Sequence, residues 1–72
     1  MSAQEVPIRG ATIRLGQLLK LAGIVESGAE ARELLDAAPA VVNGEPESRR
    51  GRQLHPGDEV EAAGHALRVT GG

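Results

Sequence analysis

Three arginines fall within four positions of this chain, and no other side chains are as well suited to a chemical role. They are Arg49, Arg50 and Arg52, and they lie between two predicted turns, at residues 43–44 and 56–58. Guanidinium groups bind phosphate oxygens in pairs, whereas a lysine offers a point charge. Like charges in one loop also repel each other unless a partner compensates them. The loop therefore predicts a surface that contacts a polyanion.

The remainder of the chain is acidic, so any nucleic-acid binding must be local. The 72 residues carry a formal net charge of −2, whereas proteins that coat nucleic acids depend on excess positive charge. Phe, Tyr and Trp are absent, which removes the aromatic stacking that most readers of single strands use. A nucleic acid would then have to be recognised through its phosphates, sugar hydroxyls and shape, with low sequence specificity, which suits a folded or double-stranded segment better than a flexible strand.

Other chemistries have less support. The absence of cysteine excludes disulfides, a thiolate nucleophile and zinc–thiolate sites. His55 and His65 have no partner at the spacing that a metal site or a catalytic relay requires. Glu45 and Glu47 are two residues apart, but we expect both to be solvated and the pKa of Glu47 to be ordinary. We predict a protein that is not an enzyme and that uses no cofactor, metal ion or small-molecule substrate.

The length allows one domain. We predict that residues 1–10 form a flexible N-terminal tail, residues 11–70 form the domain and residues 71–72 form a flexible end. The first ten residues lack the apolar run of a secretory signal or a membrane span, so we expect a cytoplasmic protein. The predicted core is aliphatic, with these members: Ile13, Leu15, Leu18, Leu19, Ile24, Val25, Leu34, Leu35, Val42, Leu54, Val60, Leu67 and Val69.

Helical spacing marks the first half of the domain. Apolar residues between 15 and 22 share one helical face, and Gly23 ends that helix. Ser27 begins a second helix, and Glu30 three residues later fits a capping box. Pro39 prevents a long continuation of this helix.

Alternating apolar residues mark the second half. Strands are predicted at residues 40–42, 45–48, 59–62 and 66–69, after a short strand at residues 13–15. Asn43-Gly44 predicts a tight reversal with positive φ, and Pro46 confines its strand to an edge. Pro56-Gly57 suits the centre of a type II turn. The order of elements predicts an α+β fold.

Several short motifs together resemble one known family. They are Ser27-Gly-Ala-Glu-Ala31-Arg32, Val42-Asn43-Gly44, Arg49-Arg50, Leu54, Pro56-Gly57-Asp58, Val60 and Ala63-Gly64-His65. In their order and spacing, these motifs make roughly residues 13–69 resemble one RNA-binding domain. That domain is named after the fourth small-subunit ribosomal protein and is also called the alpha-L motif. Within that family the chain is similar to the short, stand-alone bacterial YbcJ-like group. It departs at Ala38-Pro39, where the family usually has a glycine.

The resemblance implies two helices packed on a small, mostly antiparallel sheet, and a module that binds structured RNA such as ribosomal RNA. The RNA contacts that it implies, position by position, are Lys20, Ser27, Arg32, Asn43, Arg49, Arg50 and Arg52. A phosphate would suit the start of the second helix, where Ser27 and free backbone amides meet the positive end of the helix dipole.

Four of these residues also have plainer interpretations. Ser27 is a helix cap with or without RNA. Arg32 has Asp36 four residues later as a partner for a surface ion pair. Lys20 is typical of a solvated helix residue, and Asn43 suits the turn alone. The oligomeric state is left open by the sequence.

Two other functions remain open. The chain ends in Gly71-Gly72, as do beta-grasp sulfur carriers, whose terminal carboxylate is adenylated and thiolated, and Val42-Asn43-Gly44 is also similar to their later half. Those carriers begin with a strand hairpin and have one main helix, whereas two helical periods occupy the first half here. A protein-binding adaptor is the second alternative.

Overall fold

The computed structural model describes residues 3–71. In chain order the elements are β1 (Gln4–Ile8), β2 (Ile13–Arg14), α1 (Leu15–Leu21), α2 (Gly28–Ala37), β3 (Ala40–Val42), β4 (Glu45–Glu47), β5 (Gln53–Leu54), β6 (Glu59–Ala62) and β7 (His65–Gly71). Five strands form one sheet in the order β1-β7-β6-β3-β4, and β2 pairs with β5. All of these pairs are antiparallel except β1 with β7. The predicted α+β fold, with two helices and a mostly antiparallel sheet, is confirmed.

One aliphatic core joins the helices to the sheet. Leu18 of α1 and Leu35 of α2 belong to the same buried cluster as Val42, Val60 and Val69 of the strands. This agrees with most of the predicted core, although Ile13, Ile24 and Leu34 are only partly buried. Leu21 is the one large apolar side chain among residues 3–71 that is mostly exposed.

The predicted N-terminal tail is wrong for residues 4–8. This segment forms β1, which pairs with β7 from Gln4 opposite Leu67 to Ile8 opposite Gly71. Val6 and Ile8 alternate with exposed residues and are buried in the core. The predicted flexible end is wrong for Gly71, which lies in β7. Residues 1, 2 and 72 lie outside the described residues.

Two turns have the predicted backbone. Asn43 and Gly44 have φ values of 50° and 86° and reverse the chain between β3 and β4. Gly57 has a φ of 97°, and the N–H of Asp58 donates to the carbonyl of His55 at 3.0 Å, as a turn centred on Pro56-Gly57 requires. Strand β4, which carries Pro46, lies at the edge of the sheet.

Ser27 caps α2 as predicted. Its Oγ accepts a hydrogen bond from the N–H of Glu30 at 3.1 Å. The reciprocal contact of a capping box, from the Glu30 side chain, is not among the hydrogen bonds of residues 3–71. At the other end, Ala38 has extended φ and ψ of −157° and 130°. A residue before proline avoids the helical region, so Pro39 ends α2 at this point.

Candidate nucleic-acid interface

The arginine loop, residues 48–52, is attached to α1 through its main chain. The N–H of Leu15 donates to the carbonyl of Arg52 at 2.8 Å, and the N–H of Gly16 donates to the carbonyl of Arg50 at 2.9 Å. These are amides that a helix start leaves without an acceptor inside the helix. Beyond the loop, β5 pairs with β2, with Arg14 opposite Gln53. The position of the loop relative to α1 is therefore set by backbone contacts.

A buried carboxylate organises one side of the arginine loop. Glu47 Oε1 accepts hydrogen bonds from Arg49 Nη2 at 3.0 Å and from Arg52 Nη1 at 3.1 Å. Its Oε2 accepts from Arg49 Nε and from the backbone N–H of Arg49, both at 3.1 Å. Each carboxylate oxygen thus accepts hydrogen bonds from two donors, and two parallel hydrogen bonds hold the guanidinium of Arg49.

The expectation that Glu47 is solvated with an ordinary pKa is wrong. Glu47 is only 8% exposed, because it lies opposite the buried Ala40 and the loop arginines cover it. The hydrogen bonds from the Arg49 side chain, from the Arg49 N–H and from Arg52 lower the pKa of Glu47 to about 2. The same contact raises the pKa of Arg49 above its usual value. Glu45, on the same strand, is exposed as predicted.

Arg50 extends in a different direction and links the starts of the two helices. Its Nη1 donates to the carbonyl of Gly28, the first residue of α2, at 3.1 Å. Its side-chain carbons pass over Gly16 of α1, so closely that a Cβ on Gly16 would lie 3.4 Å from Arg50 Cγ. No carboxylate among residues 3–71 forms a salt bridge with Arg50.

A shallow groove surrounds Arg50. Its lining residues come from the loop and from both helix starts: Arg14, Gly16, Gln17, Gly28, Arg50 and Gly51. Sequence reasoning missed Arg14, which precedes α1 and adds a second cation to the groove. The sequence places Arg14 at the N-terminal boundary of the first predicted helix, which could have marked it as a candidate ligand for an anion. The pairing of β2 with β5, which brings Arg14 to the arginine loop, was not predicted.

Of the two predicted contacts on α2, Ser27 lies beside this groove and Arg32 lies one turn away from it. Ser27 is the cap that directly precedes Gly28, whose carbonyl receives Arg50. Arg32 Nε is 4.0 Å from Asp36 Oδ2, and both side chains are more than 70% exposed. An exposed pair at this distance stabilises little. The plainer interpretations therefore hold for both residues: Ser27 caps α2, and Arg32 forms a surface ion pair with Asp36.

The structure does not bring Asn43 and Lys20 into this groove. Asn43 Nδ2 donates to Asp58 Oδ1 at 3.1 Å, and its Oδ1 accepts from the N–H of Glu59 at 2.9 Å. Both ends of this amide join the β3–β4 turn to the start of β6. Lys20 is exposed and lines a neighbouring groove with Arg9. The two grooves share Gln17.

His55 has a carboxylate neighbour, contrary to the sequence-based expectation. Its Nδ1 is 3.7 Å from Asp58 Oδ2, which also accepts its backbone N–H at 2.7 Å. Burial alone would raise the pKa of Asp58, but the hydrogen bonds from the His55 N–H and from Asn43 outweigh it and lower the pKa. Within residues 3–71, no group of three His, Asp or Glu side chains is arranged to hold a metal ion.

Neither helix is long and apolar enough to cross a membrane, over the part of the chain that the structure describes.

Comparison with known proteins agrees with this architecture. The sequence model of the S4 domain matches residues 6–70, which include both helices and the arginine loop. A relative from Bacillus subtilis (strain 168), named "Probable ribosome maturation protein RlbA", is 45% identical over 62 residues. The matched region covers 86% of this chain and 87% of that relative. The match to the S4 domain begins at residue 6, inside β1. The chain belongs to the S4 domain family.

Proposed function

We propose that this protein is a non-enzymatic RNA-binding module whose arginine loop and adjoining helix starts hold the phosphates of structured RNA. The observation that carries the proposal is the position of Arg50. Its guanidinium reaches the first carbonyl of α2 and forms no salt bridge with a carboxylate among residues 3–71. Membership of the S4 domain family agrees with such a role, because the resemblance described above implies RNA binding.

The electrostatics of the groove favour an anion. The start of α2 carries the positive end of a helix dipole and backbone amides without intrahelical acceptors. Arg50 and Arg14 add two positive charges to the same groove. Positive groups brought together in this way repel one another, and a phosphate between them would relieve that repulsion.

The single buried carboxylate does not neutralise the loop. Glu47 contacts Arg49 and Arg52, so its one negative charge is shared by two of the three loop arginines. Arg49 remains 76% exposed at its side chain. The loop as a whole therefore keeps positive charge that is available to a ligand, although the net charge of the chain is −2.

The name of the Bacillus relative supports ribosomal RNA as the ligand. A role in ribosome maturation would also agree with the expected cytoplasmic location. Because the chain has no Phe, Tyr or Trp on which bases would stack, we propose that it recognises the shape and backbone of a folded segment.

The sulfur-carrier alternative loses its support. It depends on a beta-grasp fold, whereas this chain belongs to a different family. The adaptor alternative would make no use of the positive charge around Arg50, and it predicts that crosslinking in cells recovers protein partners only.

The replacement Arg50→Ala tests the proposal directly. Binding to a folded hairpin of ribosomal RNA should weaken about tenfold, and the slope of log affinity against log salt should fall by about one, because one phosphate contact is lost. Fluorescence anisotropy over a salt series measures both quantities. An unfolded strand of equal length should bind the parent protein more weakly than the hairpin does.

Arg68→Ala is the matched control, because Arg68 is an exposed arginine on β7 whose Nη2 contacts Glu59 at 3.0 Å. It removes the same charge and should change affinity by less than about twofold. Equal losses for the two variants, or no loss for Arg50→Ala, would contradict the proposed site. Crosslinking in cells that recovers only protein would favour the adaptor.

A further inference from the structure

A buried carboxylate, Glu47, lies beneath the arginine loop that we propose to bind phosphate. It is the one buried charged residue among residues 3–71, and it lies immediately before a loop with three arginines. Coulomb repulsion predicts that a carboxylate here weakens the binding of RNA. On that argument alone, removing the charge would make RNA binding tighter.

The geometry around Glu47 points in the opposite direction. The side chain of Glu47 is 9% exposed, whereas that of Arg49 is 76% exposed and that of Arg52 is 36% exposed. The arginines therefore cover the carboxylate and shield it from a ligand. Because a guanidinium has five N–H donors in a fixed plane, Arg49 keeps donors beyond the two that Glu47 receives.

The hydrogen bonds also restrict the loop itself. Glu47 receives the backbone N–H of Arg49 as well as the side chains of Arg49 and Arg52. The carbonyls of Arg50 and Arg52 are held by the first amides of α1. One carboxylate and one helix start thus immobilise the residues on both sides of Arg50. Long arginine side chains lose much conformational freedom when they bind a ligand, and a loop that is already ordered loses less.

We infer that Glu47 is a positioning residue for RNA binding, whose carboxylate holds Arg49 and Arg52 in the orientation that presents their remaining N–H donors to phosphate. The inference rests on the proposed function of the arginine loop. It assigns to an acidic residue, which cannot itself contact an RNA phosphate favourably, a positive contribution to affinity. Neutralising Glu47 should therefore weaken binding, against the sign that its charge predicts.

The test compares Glu47→Gln with Glu45→Gln. Both variants remove one negative charge from β4, two residues apart, but Glu45 is exposed and makes no hydrogen bond or salt bridge with another side chain among residues 3–71. With the same ribosomal RNA hairpin, Glu47→Gln should weaken binding about tenfold, since ordered donors are lost. Glu45→Gln should leave affinity unchanged or raise it by less than about twofold.

A thermodynamic cycle separates positioning from general destabilisation. In a background in which Arg49 and Arg52 are both alanine, Glu47→Gln should no longer reduce affinity, because the donors that it orients are gone. The NMR signal of the Arg49 Nε–H should lose its protection from solvent exchange in Glu47→Gln. A purely structural role of Glu47 would reduce affinity in both backgrounds.

A second variant preserves every charge and does not depend on the folding of Glu47→Gln. Arg49→Lys keeps the cation but cannot form the paired bonds to Glu47, so it should weaken binding more than Arg68→Lys does. A folded Glu47→Gln whose affinity is unchanged or tighter overturns the positioning role, and so does an Arg49→Lys that binds as tightly as Arg68→Lys. A loss of affinity in Arg50→Ala would in either case leave the proposed function standing. Absence of RNA binding by the parent protein would overturn both.

Discussion

Two carboxylates each organise one turn region of this protein, and they do so with different donors. Glu47 accepts hydrogen bonds from the guanidinium groups of Arg49 and Arg52. Asp58 accepts from the side-chain amide of Asn43 and from the backbone N–H of His55. The pKa of each carboxylate is lowered, and at Asp58 the hydrogen bonds outweigh the opposing effect of burial.

The donors determine what each region is able to do. The amide of Asn43 is used at both ends, by Asp58 and by the N–H of Glu59, so this cluster connects two turns of the fold. Guanidinium groups are charged and have further donors after they bind a carboxylate. The Glu47 cluster consequently orders a loop and still presents positive charge. A carboxylate acceptor therefore stabilises the fold at Asp58, whereas at Glu47 it orders arginines that remain exposed.

The largest effect on stability in this comparison is expected from Asp58→Ala. It removes the acceptor for Asn43 and His55 and should lower the free energy of unfolding by about 1–2 kcal/mol. Affinity for the RNA hairpin should change by less than about twofold. Urea denaturation and anisotropy measure the two quantities. If affinity falls as much as it does in Glu47→Gln, the two clusters are not functionally distinct.

The pH dependence of stability gives an intermediate effect. Glu47 titrates at about 2 in the folded protein and near 4.3 when unfolded. A lowered folded-state pKa stabilises the protein above the unfolded pKa, and this stabilisation is lost as the pH falls from about 5 towards 2. The difference in unfolding free energy between the parent and Glu47→Gln should therefore shrink over this range.

Denaturation curves of both proteins at several pH values measure that difference. Asp58 loses its stabilisation in the same direction because its pKa is also lowered. It remains in both proteins and cancels from the comparison. A difference that stays constant down to pH 2 would show that the guanidinium contacts of Glu47 do not stabilise the ionised form.

The smallest effect is expected from Arg32→Ala. Its pair with Asp36 is exposed and 4.0 Å long, so the free energy of unfolding should change by less than about 0.5 kcal/mol. Arg32 lies one turn beyond the groove, and its loss should reduce RNA affinity less than the loss of Arg50 does. A larger reduction would extend the interface along α2.

Much of this architecture follows from local sequence. The two helices are predicted by apolar spacing, with Gly23 and Ser27 at their boundaries, because helix periodicity and capping involve residues close in the chain. The turn at Asn43-Gly44 depends on residues that tolerate positive φ. The arginine loop is likewise visible as a run of charge between two turns.

The sequence by itself determined which residues are cationic and which segments are helical, since both properties belong to single residues or short spacings. Only the tertiary structure decided that residues 4–8 form a strand, because its partner β7 lies at the other end of the chain. It also decided that Glu47 is buried and that Asn43 serves the fold. Burial and hydrogen-bond partners depend on which surfaces meet, and the guanidinium of Arg50 reaches the backbone carbonyl of Gly28 only after both helices have packed against the loop.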